Sequence, residues 1–194
     1  MNRLFVVSVL GVALLLASFV AVLYRSGDGD PAGNAPAAAP AAAVPEPAAV
    51  KPLPAPTGER VLRISGVKTG NVSATVTELD FKTLDRAATD EITIVEPFVK
   101  RKMTFTGIPM AELLQRAGVD PSARSLYMHA LDDYHVDLPI AGLKAAGFVA
   151  TRVDGKKLPI AKGGPVRLLF TGKGKLARDT DNWIWSFASA RVER

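Results

Sequence analysis

Two stretches at the start of this chain leave only its last 138 residues free to build a globular core. The first is Leu4 to Tyr24, a run of 21 uncharged, mostly apolar residues, LFVVSVLGVALLLASFVAVLY. As a helix it would be about 31 Å long at ~1.5 Å per residue, the thickness of a bilayer's hydrocarbon core. Arg3 precedes it and Arg25 follows it. A secretory signal peptide has a similar charged start but a shorter apolar core, closed by a small-x-small site. Ala21 is an exit candidate, yet Phe19 stands where such a site wants a small residue. The segment 1–26 therefore reads as an uncleaved signal anchor that leaves the rest of the chain outside the cytoplasm. A cleaved signal peptide is the second reading.

The second stretch is 27–56. Within Pro31–Pro56 there are eleven alanines and eight prolines. Closely spaced prolines remove amide donors and fix φ, so neither a helix nor a core is expected there. The segment reads as an extended spacer with a reach on the order of 80 Å at ~3 Å per residue. The high overall apolar fraction, 48%, is thus inflated by an anchor and an alanine-rich linker.

The remaining segment, 57–194, holds 21 lysines and arginines against 16 acidic residues, so the whole net charge of +5 lies on it. These charges are dispersed apart from Lys100-Arg101-Lys102 and Lys156-Lys157. No basic helix and no aromatic-interleaved basic motif occurs, so a nucleic-acid partner is not expected. The chain has no cysteine and two histidines. That excludes disulfides, thiolate zinc sites, cysteine nucleophiles and Fe–S clusters built from its own residues.

The pattern along 57–194 is of many short strands and a few short helices. Strands are expected at Val61–Val67, Glu91–Val95, Met103–Phe105, Ser125–Ala130, Tyr134–Leu138 and Val166–Phe170. Thr77 to Asp80 has a capping-box shape and should start a short helix through Asp85. Gly107-Ile108-Pro109 should turn into a helix over Met110–Ala117, where Met110, Leu113, Leu114 and Ala117 share one face. Ile140–Ala146 makes a helical turn. Phe148–Val153, Asp154-Gly155 and Lys156–Ile160 form the clearest hairpin signal, with a type I′ turn. Trp183–Val192 alternates as a closing strand with Trp183, Trp185 and Phe187 on one face. The expected fold is α+β, a mixed β-sheet or barrel-like core with a few short helices, preceded by one transmembrane helix.

Several chemical motifs are weak. Thr171-Gly172-Lys173-Gly174-Lys175 lacks the first glycine and the final Ser/Thr of a phosphate-binding loop. His129, Asp133 and His135 share strand parity and could converge on a metal, but a turn at Asp132-Asp133 would break that parity. Gly163-Gly164-Pro165 is more informative. Two glycines let backbone approach a ligand, and Arg167 projects opposite Val166 and Leu168 on the strand that follows.

Taken in order, these segments resemble the sulfite-oxidase-type molybdopterin-binding domain. The resemblance runs through Leu62–Val67, Phe105-Thr106-Gly107-Ile108-Pro109, Ala130-Leu131-Asp132-Asp133-Tyr134 and Asp154–Pro159. It continues through Lys162-Gly163-Gly164-Pro165-Val166-Arg167 to a closing segment with Trp185. The enzymes of that family ligate molybdenum through a cysteine thiolate. Here the corresponding loop reads Glu96-Pro97-Phe98-Val99, and the enzymes' His-Gly-x-Pro reads Lys162-Gly163-Gly164-Pro165. The chain is more similar to small exported, non-enzymatic relatives that lack the cysteine and hold a pterin without molybdenum. Some of those resemble modules that report pterin status to a membrane-bound cyclic-di-GMP synthase or phosphodiesterase.

The resemblance implies a non-catalytic pterin-binding module tethered to the inner membrane by its N-terminal helix, its C-terminal domain in the periplasm. A cleaved, soluble periplasmic form is the second choice. The implied ligand is an unmetallated pterin, molybdenum is not expected, and the implied protein partner is the ectodomain of an inner-membrane signalling protein. The competing readings are a molybdenum-dependent oxidoreductase subunit and a ligand-free interaction domain. A pterin is a flat polar ring with adjacent N–H donors on one edge, which one carboxylate can match. Glu96, Asp132 and Asp133 are the carboxylate candidates. Phe98, Tyr134, Trp183 and Trp185 are the stacking candidates. Lys162 and Arg167 are donors, with Gly163 and Gly164 allowing close approach.

Overall fold

The computed structural model describes residues 51–69 and 72–194, with the side chains of 68–74 left aside. The expected membrane helix and the spacer up to residue 50 lie outside the described residues. Among the described residues, no helix is long and apolar enough to cross a membrane. The end of the spacer lies against the domain: Leu53 packs on the core and donates its backbone N–H to Arg116 O, 3.5 Å. Leu53 lies before Thr57, where the sequence alone places the boundary.

Among the described residues, ten strands form two sheets joined by short helices. Sheet A contains β1 (Arg60–Thr69), β2 (Val72–Asp80), β5 (Ser125–Ala130), β6 (His135–Pro139) and β10 (Phe187–Glu193), in the order β2-β1-β10-β5-β6. The β1–β10 pair is parallel, with Ile64 opposite Ala190, and the other pairs are antiparallel. Sheet B contains β3 (Asp90–Glu96), β4 (Arg101–Pro109), β7 (Gly147–Val153) and the two-residue β8 (Lys156–Lys157), with β9 (Arg167–Phe170) paired to β7. The fold is α+β and sheet-rich, with a mixed sheet and few short helices. The strands close two sheets rather than one barrel.

Local chemistry accounts for the elements and for the departures from expectation. The helix α1 (Phe81–Ala87) starts three residues later than the Thr77 motif implies, because β2 runs on through Asp80. Asp80 itself is the N-cap. One carboxylate oxygen accepts from Thr83 N at 2.7 Å, and the other accepts from Thr57 N and Gly58 N. These amides, Thr83 foremost, hold the Asp80 carboxyl well below its ordinary value. Gly107 does not turn: it lies inside β4, paired with Ala150 of β7. The helices α2 (Met110–Arg116) and α3 (Ile140–Ala146) bury Met110, Leu113, Leu114, Ile140 and Leu143. The hairpin turn is as expected, with positive φ at Asp154 (47°) and Gly155 (74°), but its second strand is only two residues long.

β9 is buried along its whole length, and with Val166 it places Leu168, Leu169 and Phe170 in the core. Each such side chain contributes roughly 1.5–3 kcal/mol of burial. The strand therefore holds Arg167 in a fixed place. The closing segment is shorter than its alternation suggests. Ser186 takes φ 51° and donates its N–H to Gly163 O at 2.7 Å, so β10 begins only at Phe187. Trp183 and Trp185 consequently precede the strand, and Trp185 and Phe187 do not share one of its faces.

Candidate functional site

The loop after β3 turns back on its own carboxylate. Glu96 is fully buried, and its Oε2 accepts from Phe98 N (2.9 Å) and Val99 N (2.7 Å). Its Oε1 accepts from Arg167 Nη2 in an ion pair whose side chains are 1% and 4% exposed. Glu96 is thus fully engaged inside the protein and is not a free carboxylate for a ligand's N–H edge. Burial draws the Arg167 pKa below the ordinary arginine value, while Glu96 pulls it back. A guanidinium stays charged at neutral pH even so.

The Trp185 ring lies against this pair. The Arg167 guanidinium carbon is 4.2 Å from the ring centre, and the Phe98 ring meets Trp185 edge-on at 5.2 Å. A desolvated cation–π contact of this kind is worth about 2 kcal/mol. Gly163 supports the indole from behind. Its φ is 79°, and a Cβ there would fall 2.8 Å from the Trp185 ring. A Cβ on Gly164 would collide with Leu158 O. The two glycines, expected to admit a ligand, are instead used up by close contact within the protein. Among the described residues, two buried donors are left without a partner: Arg167 Nε and Trp185 Nε1. Such orphans are uncommon in a finished core, and each costs about 1–3 kcal/mol.

Trp185 is the shared wall of two clefts. One, of about 390 Å³, is lined by Phe98, Asp132, Tyr134, Asp181, Trp183 and Trp185. It is acidic and aromatic. The other, of about 450 Å³, is lined among others by Glu96, Arg101, Met103, Lys162, Arg167 and Trp185. It is cationic. Both volumes fall in the range of small-molecule sites, ~300–1,000 Å³.

The sequence-derived candidates divide accordingly. Asp132, Phe98, Tyr134, Trp183 and Trp185 meet at the first cleft, and Glu96, Lys162 and Arg167 meet Trp185 at the second. Asp133 lines neither cleft. It sits at φ 66° in the β5–β6 turn, where its carbonyl contacts His135 Nδ1. Trp183 belongs mainly to the core: it is 6% exposed, packs on Phe170 and donates Nε1–H to Ala177 O at 3.3 Å. Tyr134 donates its hydroxyl to Asp181 O, tying the β5–β6 turn to the 180–182 turn. Burial, then the Asp181 and Asp179 charges, push the Tyr134 phenol pKa up. Asp181 and Arg101 were not among the candidates. Asp181 stands two residues before Trp183, a spacing that links it to the cleft only once the turn is known. Arg101 is one of three consecutive basic residues that composition treats as surface.

With the fold and clefts in place, residues 62–178 match the oxidoreductase molybdopterin-binding domain family. The chain belongs to that family. In structure the molybdopterin-binding domain is similar to the sulfane dehydrogenase SoxCD from Paracoccus pantotrophus, with a TM-score of 0.52 and 19% identity. The match covers 69% of this chain and 38% of the SoxCD chain. No curated protein matches the sequence.

The residues present can be tested against the two halves of a molybdopterin cofactor. They do not fit the metal. There is no cysteine in the chain, and the Glu96 carboxylate is closed off by two amides and an arginine. Among the described residues, no three of His, Cys, Asp and Glu gather around a common point. They do fit the pterin ring, which needs an aromatic face, a carboxylate for its N–H edge and donors for its acceptor atoms. Phe98 offers the aromatic face and Asp132 the carboxylate at the first cleft, and the orphaned donors lie buried beside it.

Proposed function

We propose that this molybdopterin-binding domain is a non-catalytic module that holds an unmetallated pterin. The observation that carries the reading is the Glu96–Arg167 pair. The loop on which the family's enzymes present a thiolate presents here a carboxylate already neutralised by a buried guanidinium. Next to it stand unsatisfied donors and an aromatic, acidic cleft. In the first cleft the half-exposed Phe98 ring would offer a stacking face and Asp132 would take the ring's N–H edge, with Trp185 as the wall behind. Burial keeps water from competing for the orphaned donors, so each bond they make counts for more than in solvent.

We further propose that the N-terminal anchor holds the module on the periplasmic side of the inner membrane. The spacer would raise the effective concentration of the domain at a partner's ectodomain. A membrane-bound cyclic-di-GMP synthase or phosphodiesterase is the partner class that this reading suggests.

The test is direct. The full chain is purified in detergent and denatured. Released pterin is quantified by fluorescence chromatography and molybdenum by elemental analysis. One pterin per chain without molybdenum is the expected result. Molybdenum at a fixed ratio overturns the reading in favour of an oxidoreductase, as the family's other members suggest. Failure to retain any pterin, even after incubation with reduced and oxidised pterins, overturns it in favour of an interaction domain.

A further inference from the structure

Both histidines of the chain lie on one exposed face of sheet A, lining neither cleft beside Trp185. His129 of β5 is directly opposite His135 of β6. The next pair along exchanges a backbone hydrogen bond, Ala130 N to Tyr134 O at 2.8 Å. Pairs alternate along an antiparallel ladder, so 129–135 is a non-hydrogen-bonded pair, the kind in which facing side chains come closest. The imidazole centroids are 5.5 Å apart and the planes are inclined by 29°. Two imidazoles sharing one ion through bonds of ~2.0–2.1 Å at about 90–110° place their centroids roughly 4.5–5.2 Å apart. The observed 5.5 Å lies just above that range, and the stacked imidazoles must turn toward one another to share an ion.

A backbone contact orients His135. His135 Nδ1 lies 3.2 Å from Asp133 O. A carbonyl can only accept, so Nδ1 is the donor in this contact and Nε2 is the nitrogen left for a metal. Metal-binding histidines are commonly oriented by such a bond to a backbone carbonyl. Tyr127 closes the cluster, with its ring 4.9 Å from His129 and 5.4 Å from His135. Asp137, opposite Tyr127 in the ladder, adds a carboxylate to the same face. Two cations flank this face: Arg63 lines a cleft with His129 and Tyr127, and Arg191 lies 5.3 Å over the Tyr127 ring and pairs with Glu193 at 2.9 Å.

The geometry points to a dihistidine site for a divalent transition ion, held by Nε2 of His129 and Nε2 of His135, with water completing the shell. Cu²⁺ should bind before Ni²⁺ or Zn²⁺ at such a nitrogen pair. The site is independent of the pterin reading, since none of its residues lines either cleft beside Trp185.

The full chain, purified without a polyhistidine tag, is titrated with CuCl₂ by calorimetry and by electron paramagnetic resonance. One saturable Cu²⁺ per chain with the superhyperfine pattern of two imidazole nitrogens is expected. His129→Asn and His135→Asn should each weaken binding at least about tenfold with unchanged thermal melting. Absence of saturable binding, a spectrum with one imidazole, or equal affinity in the double variant would each overturn the assignment.

Discussion

Arg152 and Arg167 both leave sheet B to meet a carboxylate, but the two pairs are built differently. Arg152 grips Asp85 with two teeth, Nε to Oδ1 at 2.8 Å and Nη2 to Oδ2 at 2.6 Å, and Thr151 adds a third bond at 2.9 Å. It is partly exposed, and its polar atoms have partners. Arg167 touches Glu96 through Nη2, lies far deeper, and keeps a buried Nε–H with no partner. One pair clips α1 to β7 and is complete. The other holds a donor in reserve beside a cleft. A protein gains nothing in stability from an unpaired buried donor, so the contrast separates a pair with every bond made from one that leaves a bond unmade.

Glu96→Ala should have the largest effect. It leaves the Arg167 charge buried without a counter-ion, which costs about 3–5 kcal/mol, measured by urea unfolding. A loss under about 1 kcal/mol would erase the distinction between the two pairs. Gly163→Ala should cost roughly 2–3 kcal/mol from left-handed backbone and crowding. It should also shift the Trp185 emission spectrum, and an unshifted spectrum would mean that the indole does not depend on its glycine seat.

Arg152→Ala should destabilise far less than Glu96→Ala, because solvent screens that pair. A double-mutant cycle with Asp85→Ala reads the coupling directly. The smallest effect concerns acid. Burial alone would raise the Asp85 pKa, but the bonds from Arg152 and Thr151 and the charges of Arg152 and Lys157 outweigh it. The net shift is below the ordinary value of 3.8. Its stabilisation is therefore complete above that pH and is lost as pH falls below it. The acid limb of the stability curve should be shallower in Arg152→Ala, and an unchanged limb would assign the effect to Asp80, whose pKa is lowered in the same window.

Strand positions were largely legible in the sequence, and hydrogen-bond destinations were not. The Asp154-Gly155 turn, the helix over Met110 and the buried run at Val166 declare themselves through φ preference and periodicity. Glu96, Arg167, Gly163 and Trp185 were legible as a set, since the motif order brings them together. Their roles were not. Nothing local to Glu96 reveals that it is consumed by Phe98 N, Val99 N and an arginine 71 positions away. The alternation through Trp183–Phe187 points to a strand because side-chain pattern is blind to the positive φ of Ser186. Asp133, similarly, looks like a ligand until the turn takes its backbone into the left-handed region.

The parallel pairing of β1 with β10 has a consequence for biogenesis. The central strand of sheet A is the last to be made, and its register with Arg63, Ile64 and Ser65 is set by Ser189, Ala190 and Arg191. Until those residues emerge, β1 and β2 can form only a hairpin with an open edge, and β5 and β6 another. Non-local pairing of this kind is slow and leaves unsatisfied edges exposed meanwhile. A nascent chain paused before Phe187 therefore carries two hairpins with open edges rather than a closed sheet.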